Sequence, residues 1–352
     1  MGDLVIYKEK NFIEKINYYK KLGVNAILID PFDRIDQEVL YILFEYNKSL
    51  AKEDIKVIVR VDIEQISSLL LDINKPISWS NPKIRKSFYQ FIIFLQKHGL
   101  RGFLLENFVD LFKGDLYKYT GELTKNIFYS EDSIFIGQID TVDYRYLSYL
   151  SNASYNNFTY IFNPNRFHSN LKLEDIKKEI SKSFDRGIRE IYQTKNLYGP
   201  IENKENYPFK TQSLLAGLVF MLKGGVIIND FEELGIFNKR NFKSDYKILD
   251  LANKTFDFYK KLIDIKKQNR PLAFGDYRQI VIRDREVFAF IRTLEDEKVL
   301  VFANFSQKEI LVDLSYKLLD LYKFTYLIGN YGRRRIFKNI LLRPYEFVAF
   351  KR

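Results

Sequence analysis

The chain has 352 residues, of which 46% are hydrophobic and 16% aromatic, so it can bury a sizeable core and is not expected to be disordered. It has no cysteine and only two histidines, His98 and His168, which excludes disulfides, thiol catalysis and a metal site built from several histidines. No apolar run approaches the roughly 18 residues that span a bilayer, and no signal peptide is visible, so we expect a cytoplasmic protein.

The net charge of +11 raises the question of a nucleic-acid partner. Lysines such as Lys15, Lys20 and Lys21 are spread along predicted helices and are not gathered in a tail. The one dense cluster, Arg333–Arg335, lies between two strand-like segments. We therefore favour a solvated basic surface over a nucleic-acid site at this stage.

Strands and helices alternate through the first part of the chain. Short apolar runs predict buried strands, and between them apolar residues recur at helical spacing, as at Ile84, Phe88 and Phe91. The stretch Thr211–Leu222 is apolar almost all round and is predicted to be a buried helix. The predicted strands are Leu4–Tyr7, Ala26–Ile29, Lys56–Val61, Gly102–Leu105, Ile134–Gly137, Tyr160–Phe162, Ile188–Tyr192 and Val226–Ile228.

This alternation predicts an α/β fold, a closed (β/α)8 TIM barrel over residues 1–270. After Pro271 the pattern changes to strand-like segments with little helix between them, at Val287–Arg292, Lys298–Phe302 and Ile310–Leu314. We therefore predict a small C-terminal antiparallel β-sandwich domain over residues 271–352. The link Ser67–Ser78 is too short to hold an inserted domain after the third strand.

The fourth predicted strand carries the most informative motif. Residues 101–109, Arg-Gly-Phe-Leu-Leu-Glu-Asn-Phe-Val, resemble the Gly-Phe-Arg-Leu-Asp-Ala segment of the α-amylase superfamily, glycoside hydrolase family 13. Further segments agree with that family in order and spacing, and the nearest branch is that of the oligo-α-glucosidases. These segments are Tyr18–Ile27, Trp79–Arg85, Phe231–Gly235, Tyr259–Ile263, Gly275–Tyr277 and Leu342–Phe347, the last of which looks like the final strand of the family's C-terminal domain.

The resemblance implies three catalytic carboxylates, and each position has changed. Glu106 stands where the family has its nucleophilic Asp, and Gln138 stands where it has the general-acid Glu. Asn196 stands, in the loosest of the three alignments, where a third Asp holds the sugar ring. A retaining glycosidase needs two carboxyl groups about 5–5.5 Å apart, and an amide cannot protonate a leaving oxygen. We expect all three positions to face the mouth of the barrel and to be catalytically silent.

Supporting positions of the family have changed as well. Arg60 replaces an Asp of the third strand, and Gln65 replaces a substrate-binding His. The loops that would build a sugar subsite after the first, second and third strands are short or missing.

Other acids near strand ends could take over the lost roles. They are Asp62, Asp110, Asp140 and Asp143, and we favour helix caps and solvated loop acids as their roles. His98 precedes Gly99 at a predicted helix end, where capping is the expected role.

Three functional hypotheses follow. The first is an amylase-like binding or assembly module without glycosidase activity, whose partner is an oligosaccharide or a protein. The second is a weak or rearranged α-glucosidase or glycosyl-transferring enzyme of carbohydrate metabolism, and the third is a nucleic-acid or anionic-surface binder. No cofactor or metal is predicted, and fold alone does not choose among the three.

Overall fold

A computed structural model of the chain describes residues 4–9, 15–72, 77–112, 115–127, 133–140, 143–151, 158–167, 171–197, 208–235, 246–314 and 320–352. Eight parallel strands close into a barrel in chain order, which confirms the predicted TIM barrel. The barrel strands are β1 Val5–Lys8, β2 Ala26–Ile29, β3 Lys56–Asp62, β4 Gly102–Glu106, β5 Ile134–Gln138, β6 Tyr160–Phe162, β7 Glu190–Tyr192 and β8 Gly225–Ile228.

The barrel strands form where the sequence has unbroken apolar runs. Every residue of β2 and β8 is buried, as expected for parallel strands that are covered on both faces. A glycine fixes the close approach of two strands, because a side chain at Gly102 would strike the backbone of Val57 and Ile58. Short apolar strands and one small residue therefore set the spacing at this part of the barrel.

Some of the helices between the strands start at side-chain caps. The Asp36 carboxylate accepts from the Val39 amide at the start of one helix. The side chain of Asn81, the residue before Pro82, accepts from the Lys83 amide at the start of another, and Pro82 occupies its first turn. The helices of the barrel region are α1 Ile16–Leu22, α2 Gln37–Ala51, α3 Ile63–Leu71, α4 Pro82–Lys97, α5 Phe108–Leu111, α6 Leu116–Ile127, α7 Tyr144–Ser151, α8 Leu173–Asp185, α9 Pro208–Met221, α10 Tyr246–Gln268 and α11 Arg270–Phe274.

Two predictions about these helices are confirmed. Helix α9 covers most of the predicted apolar helix, and every residue from Thr211 to Met221 is buried. Strand β3 leads directly into α3, and residues 62–72 and 77–81, which the structure describes, form this helix and a turn before α4. Within those residues there is no inserted domain. No described helix is long and apolar enough to cross a membrane.

The C-terminal strands form two antiparallel sheets. Apolar side chains from both sheets, including Phe302, Phe350 and Ile340, share one core, so the predicted sandwich is confirmed. The larger sheet has the order β13-β15-β11-β10-β9 and the smaller one pairs β12 with β14. Their bounds are β9 Asp276–Gln279, β10 Val287–Leu294, β11 Glu297–Asn304, β12 Ile310–Asp313, β13 Thr325–Gly329, β14 Asn339–Leu342 and β15 Phe347–Lys351.

The segment Leu342–Phe347 differs from its prediction as the final strand. Strand β14 ends at Leu342, the chain turns, and β15 begins at Phe347. The turn contains Tyr345 at a positive φ of 52°, and the Glu346 carboxylate accepts from the Arg343 amide at 2.7 Å. Proline and these turn contacts break the segment, so it joins two strands that belong to different sheets.

The chain divides into two compact units that do not coincide with the predicted boundary at residues 270 and 271. The described residues within 4–164 and 187–191 form one unit, and those within 165–186 and 192–352 form the other. In the second unit, barrel helices pack against the β-strands: the Ser181 hydroxyl bonds the side chain of Gln279 at 3.0 Å, and the Lys177 ammonium donates to the Arg285 carbonyl at 2.8 Å. The boundary at 270 stays a prediction.

Two helical glycines give a matched test of this packing. A methyl group at Gly217 in α9 would collide with the ring of Phe347, whereas one at Gly121 in α6 would meet nothing within 4 Å. We expect Gly217→Ala to lower the free energy of unfolding by about 1–3 kcal/mol, because overpacking forces neighbours to shift. Gly121→Ala should be neutral or raise it by up to about 1 kcal/mol through helix propensity. Urea unfolding followed by circular dichroism measures both, and equal effects would contradict this packing.

Candidate functional site

Charged side chains from three neighbouring strands meet at the carboxyl end of the barrel. In the register of β3 and β4, Arg60 pairs with Leu104 and Asp62 pairs with Glu106. Side chains two residues apart on a strand point to the same face, so Arg60, Asp62 and Glu106 share one face. Asp30 follows the last residue of β2, which is the strand on the other side of β3.

Arg60 is the centre of this group. Its Nη2 donates to Glu106 Oε2 at 2.5 Å, and its Nη1 donates to Asp30 Oδ2. The Arg60 side chain is 35% exposed, whereas that of Glu106 is only 8% exposed. The hydrogen bond to Glu106 raises the pKa of Arg60 above its ordinary value, against the opposing effect of burial. The guanidinium is therefore a fixed cation between two acids.

Asp62 has a structural task beside this ion pair. It caps α3 by accepting from the amides of Glu64 and Gln65, at 3.0 and 3.1 Å. Its second oxygen accepts from the Asn107 side chain at 2.6 Å. Asn107 lies in the turn directly after β4 at a positive φ of 59°, a conformation that asparagine tolerates better than most residues. The cap that we predicted for Asp62 is confirmed.

The predicted acid position lies on the neighbouring strand. Leu105 and Gly137 are register partners, and Glu106 and Gln138 are the next residues of β4 and β5. Gln138 is half-buried at the end of β5. Gln138 therefore ends the strand next to that of Glu106, and its assignment to the acid position of the family stays a prediction. The side-chain amide of Gln65 donates to the Phe32 carbonyl at 3.0 Å and so stabilises the loop that follows β2.

Asn196 belongs to the other compact unit. It lies in a short 3-10 helix, Thr194–Leu197, directly after β7, and its side chain is outside the described part of the structure. The side chain of Asp110 and all of His168 are also outside it. The expectation that Asn196 faces the mouth of the barrel therefore stays a prediction.

The remaining candidates have ordinary structural contacts. Asp140 is exposed, and Asp143 accepts from the Arg145 amide at 2.9 Å just before α7. The Arg145 side chain also pairs with Asp143, and this hydrogen bond is the main reason that the pKa of Asp143 is lowered. His98 ends α4, where its ring stacks on Phe44 with centroids 4.6 Å apart. The expected terminal role of His98 is confirmed.

A second buried carboxylate, Glu232, organises the end of β8. Oε1 accepts from the hydroxyls of Thr194 and Tyr259, at 2.6 and 2.7 Å. Oε2 accepts from the amide and the side chain of Asn229, at 3.0 and 2.7 Å. Four donors therefore tie the loops after β7 and β8 to α10. Glu232 lies in one of the family-like segments, but the sequence did not show that its carboxylate is fully engaged.

From the sequence we did not predict that Asp30 belongs to this site, or that Arg60 pairs with Asp30 and Glu106. A signal was available, since Asp30 and Glu106 both stand at strand ends and the carboxyl ends of parallel strands share one edge. Among the described residues, no group of three metal-binding side chains is gathered in one place. The described site is thus an ion-pair cluster that joins β2, β3 and β4.

Comparisons with known proteins agree with this architecture. A family model described as "Maltogenic Amylase, C-terminal domain" matches residues 277–348. An oligo-1,6-glucosidase of Bacillus cereus is 40% identical over 101 residues, which are 27% of this chain and 17% of that protein. An oligo-1,6-glucosidase of Halalkalibacterium halodurans is 19% identical over 77% of this chain and 68% of its own length.

The fold of this chain is shared with a solved structure over nearly its whole length. The crystal structure of Bacillus licheniformis trehalose-6-phosphate hydrolase aligns with a TM-score of 0.79 at 16% identity, covering 99% of this chain and 99% of the other. At that identity the likeness concerns the fold. The local match with the Bacillus cereus enzyme spans about a sixth of that protein's length, 17%.

The ion pair at the barrel mouth gives a stability prediction. Arg60→Met leaves the Glu106 carboxylate buried without this cation, so we expect the free energy of unfolding to fall. The expected loss is about 1–3 kcal/mol, less than for a fully buried pair because Arg60 is partly solvated. The double variant Arg60→Met, Glu106→Gln removes both charges and should recover most of the loss. If the two variants are equally unstable in urea, the ion pair does not contribute as inferred.

The Glu232 network gives a second prediction. Glu232→Gln places an amide NH2 against two of the four donors, so we expect the free energy of unfolding to fall by about 2–3 kcal/mol. The urea concentration at the unfolding midpoint should fall accordingly. Glu309→Gln is the matched control, because Glu309 is exposed and lies in the same compact unit. An equal midpoint for both variants would show that the network adds nothing to stability.

Proposed function

The chain is a relative of the α-amylase superfamily, within its oligo-glucosidase-like branch, and we propose that it is a binding or assembly module that does not cleave glycosides. Its partner is an oligosaccharide or a protein. The observation that carries the proposal is the amide of Gln138 at the end of β5, on the strand next to that of Glu106, because the family resemblance implies a general acid at this position.

A nucleophilic carboxylate must bring a free oxygen to the anomeric carbon of the sugar. In this chain Glu106 Oε2 is bound by Arg60, which also bonds Asp30, so an attack through that oxygen would have to break a partly buried charge-assisted contact. Glutamate is also one methylene longer than the family's aspartate, and a displacement of about 1 Å can cost on the order of a hundredfold in rate. Both effects oppose formation of a covalent intermediate.

The presence of Gln138 opposes the other requirement of cleavage, which is protonation of the leaving sugar. Departure of the leaving sugar needs a proton on the glycosidic oxygen, and a neutral amide does not supply one near pH 7. Gln138 occupies the end of β5, beside the strand of Glu106. A site with a paired carboxylate and an amide supports ground-state contacts better than acid-assisted cleavage.

Glu106 keeps a structural role under this proposal. Arg60 and Leu104 are register partners, so the arginine that the family has at position 104 of β4 is found here on the adjacent position of β3. The cation stays beside the acid although the sequence motif has changed. Arg60, Asp30 and Glu106 then hold three strand ends together, which explains retention of a carboxylate without catalysis.

A rearranged glycosidase is the second candidate, and one observation favours it. Asp62 is the register partner of Glu106, so two carboxylates stand on neighbouring strands of the barrel. Asp62 would have to act as the acid while it accepts from two amides and from Asn107. Both oxygens of Asp62 are therefore engaged in capping α3 and in holding Asn107, which opposes a second role at a substrate.

The test is a hydrolysis assay with maltose and with an activated aryl α-glucoside, which needs less acid assistance. We expect no turnover of maltose above the background measured with Glu106→Gln. The double variant Glu106→Asp, Gln138→Glu should stay inactive, because Arg60, Gln65 and the short loops remain.

Three outcomes would contradict the proposal. Maltose turnover near one per second, an ordinary value for enzymes, would show an active glycosidase. Turnover that is abolished by Asp62→Asn, with the fold intact by circular dichroism, would support the rearranged pair. Hydrolysis by the double variant would mean that only the acids had changed and that a sugar site survives.

A further inference from the structure

The C-terminal β-domain has a groove on its surface. It has a volume of about 1120 Å³, and its walls include Tyr322, Arg333, Arg335, Phe337 and Lys338, which we call the basic-aromatic groove. These side chains come from the turn before β13 and from the link between β13 and β14. The sequence alone showed the arginine cluster but gave no sign that an aromatic ring from the other turn joins it.

Three cations of the groove are free to meet a ligand. Arg333, Arg335 and Lys338 are exposed, and their side chains make no ion pair or hydrogen bond with any residue that the structure describes. Arg334 is different, because it is bound by the Glu346 carboxylate and the Leu341 carbonyl. The anchored arginine fixes the segment, so that its neighbours project from a defined backbone.

Two aromatic rings lie exposed beside these cations. Tyr322 is 78% exposed and Phe337 is 65% exposed, and both rings line the groove. Their neighbours Phe324 and Ile336 are buried in the core of the domain, which holds each ring at the surface. The groove also contains Asp320, but this carboxylate is paired with Lys323 at 3.0 Å and lies 3.6 Å from Arg352. Because Asp320 is paired with these two cations, it does not neutralise Arg333, Arg335 or Lys338.

We propose that the basic-aromatic groove binds single-stranded nucleic acid. Unpaired arginine and lysine groups suit phosphates, since arginine presents two donors to two phosphate oxygens. Exposed rings offer stacking faces for bases, and this combination of cations with stacking platforms is typical of proteins that bind single strands without sequence preference. A duplex keeps its bases stacked on each other, so it would leave Tyr322 and Phe337 without a role.

The size of the groove agrees with a short stretch of strand. Its volume exceeds the 300–1,000 Å³ or so of typical small-molecule pockets. If each of the three unpaired cations neutralises one phosphate, the logarithm of the affinity should fall with the logarithm of salt concentration with a slope of about −2. Between about 50 and 200 mM salt the affinity should then drop about twentyfold.

The test is fluorescence anisotropy of a labelled oligothymidylate titrated with the full chain. The charge variant is Arg333→Gln, Arg335→Gln, Lys338→Gln, which should lose binding at moderate salt and lose most of the salt slope. The matched control is Arg283→Gln, Arg285→Gln, Lys308→Gln, which removes the same charge from exposed positions that do not line the groove. The control should bind like the unchanged chain.

Ring variants separate stacking from charge. Tyr322→Ala and Phe337→Ala should each weaken binding about fivefold or more, whereas Tyr322→Phe and Phe337→Tyr should keep it. Circular dichroism checks that every variant is folded. The inference is overturned if the oligothymidylate does not bind, if the control loses as much as the charge variant, or if the alanine variants bind unchanged. Tighter binding of duplex DNA or of heparin than of the single strand would also overturn it.

Discussion

The ion pair between Arg60 and Glu106 is the constraint on which the barrel mouth depends. Glu106 is almost fully buried, and a buried carboxylate without a cation or several donors is costly. Arg60 meets this need from the neighbouring strand and reaches Asp30 with its other nitrogen. The strand register that places Arg60 opposite Leu104 therefore determines which cation meets the Glu106 carboxylate and engages its Oε2.

The C-terminal half of the molecule depends on buried polar groups that join helices to strands. Arg292 is fully buried in β10, and its guanidinium donates to the carbonyls of Gly275 and Met221 at 2.8 and 3.2 Å. Lys266 in α10 donates to the carbonyls of Phe220 and Leu222 at the end of α9. Such contacts satisfy helix-terminal carbonyls that water cannot reach. They explain why barrel helices and β-strands form one compact unit.

The sequence predicted the barrel well because its strands are short and apolar and are separated by segments with apolar residues at helical spacing. Strands β9 and β13 were missed, since Asp276–Gln279 and Thr325–Gly329 are half-exposed and have little apolar pattern. Side-chain pairing was also beyond the sequence. Arg60 could be noted as a changed residue, but its choice of Glu106 and Asp30 follows from strand register and three-dimensional proximity. The same is true of Glu232, whose four donors come from three separate segments.

We propose that Glu106 does not act as a nucleophile, and this can be tested with a substrate that needs no general acid. A fluorinated α-glucosyl fluoride carries a leaving group that departs unassisted, so a competent carboxylate forms a glycosyl ester that persists because the ring fluorine slows its hydrolysis. Intact-protein mass spectrometry after incubation measures this adduct directly. We expect an unchanged mass, because Arg60 binds Glu106 Oε2 and the longer glutamate side chain displaces the attacking oxygen. A stoichiometric adduct that maps to Glu106 would contradict it.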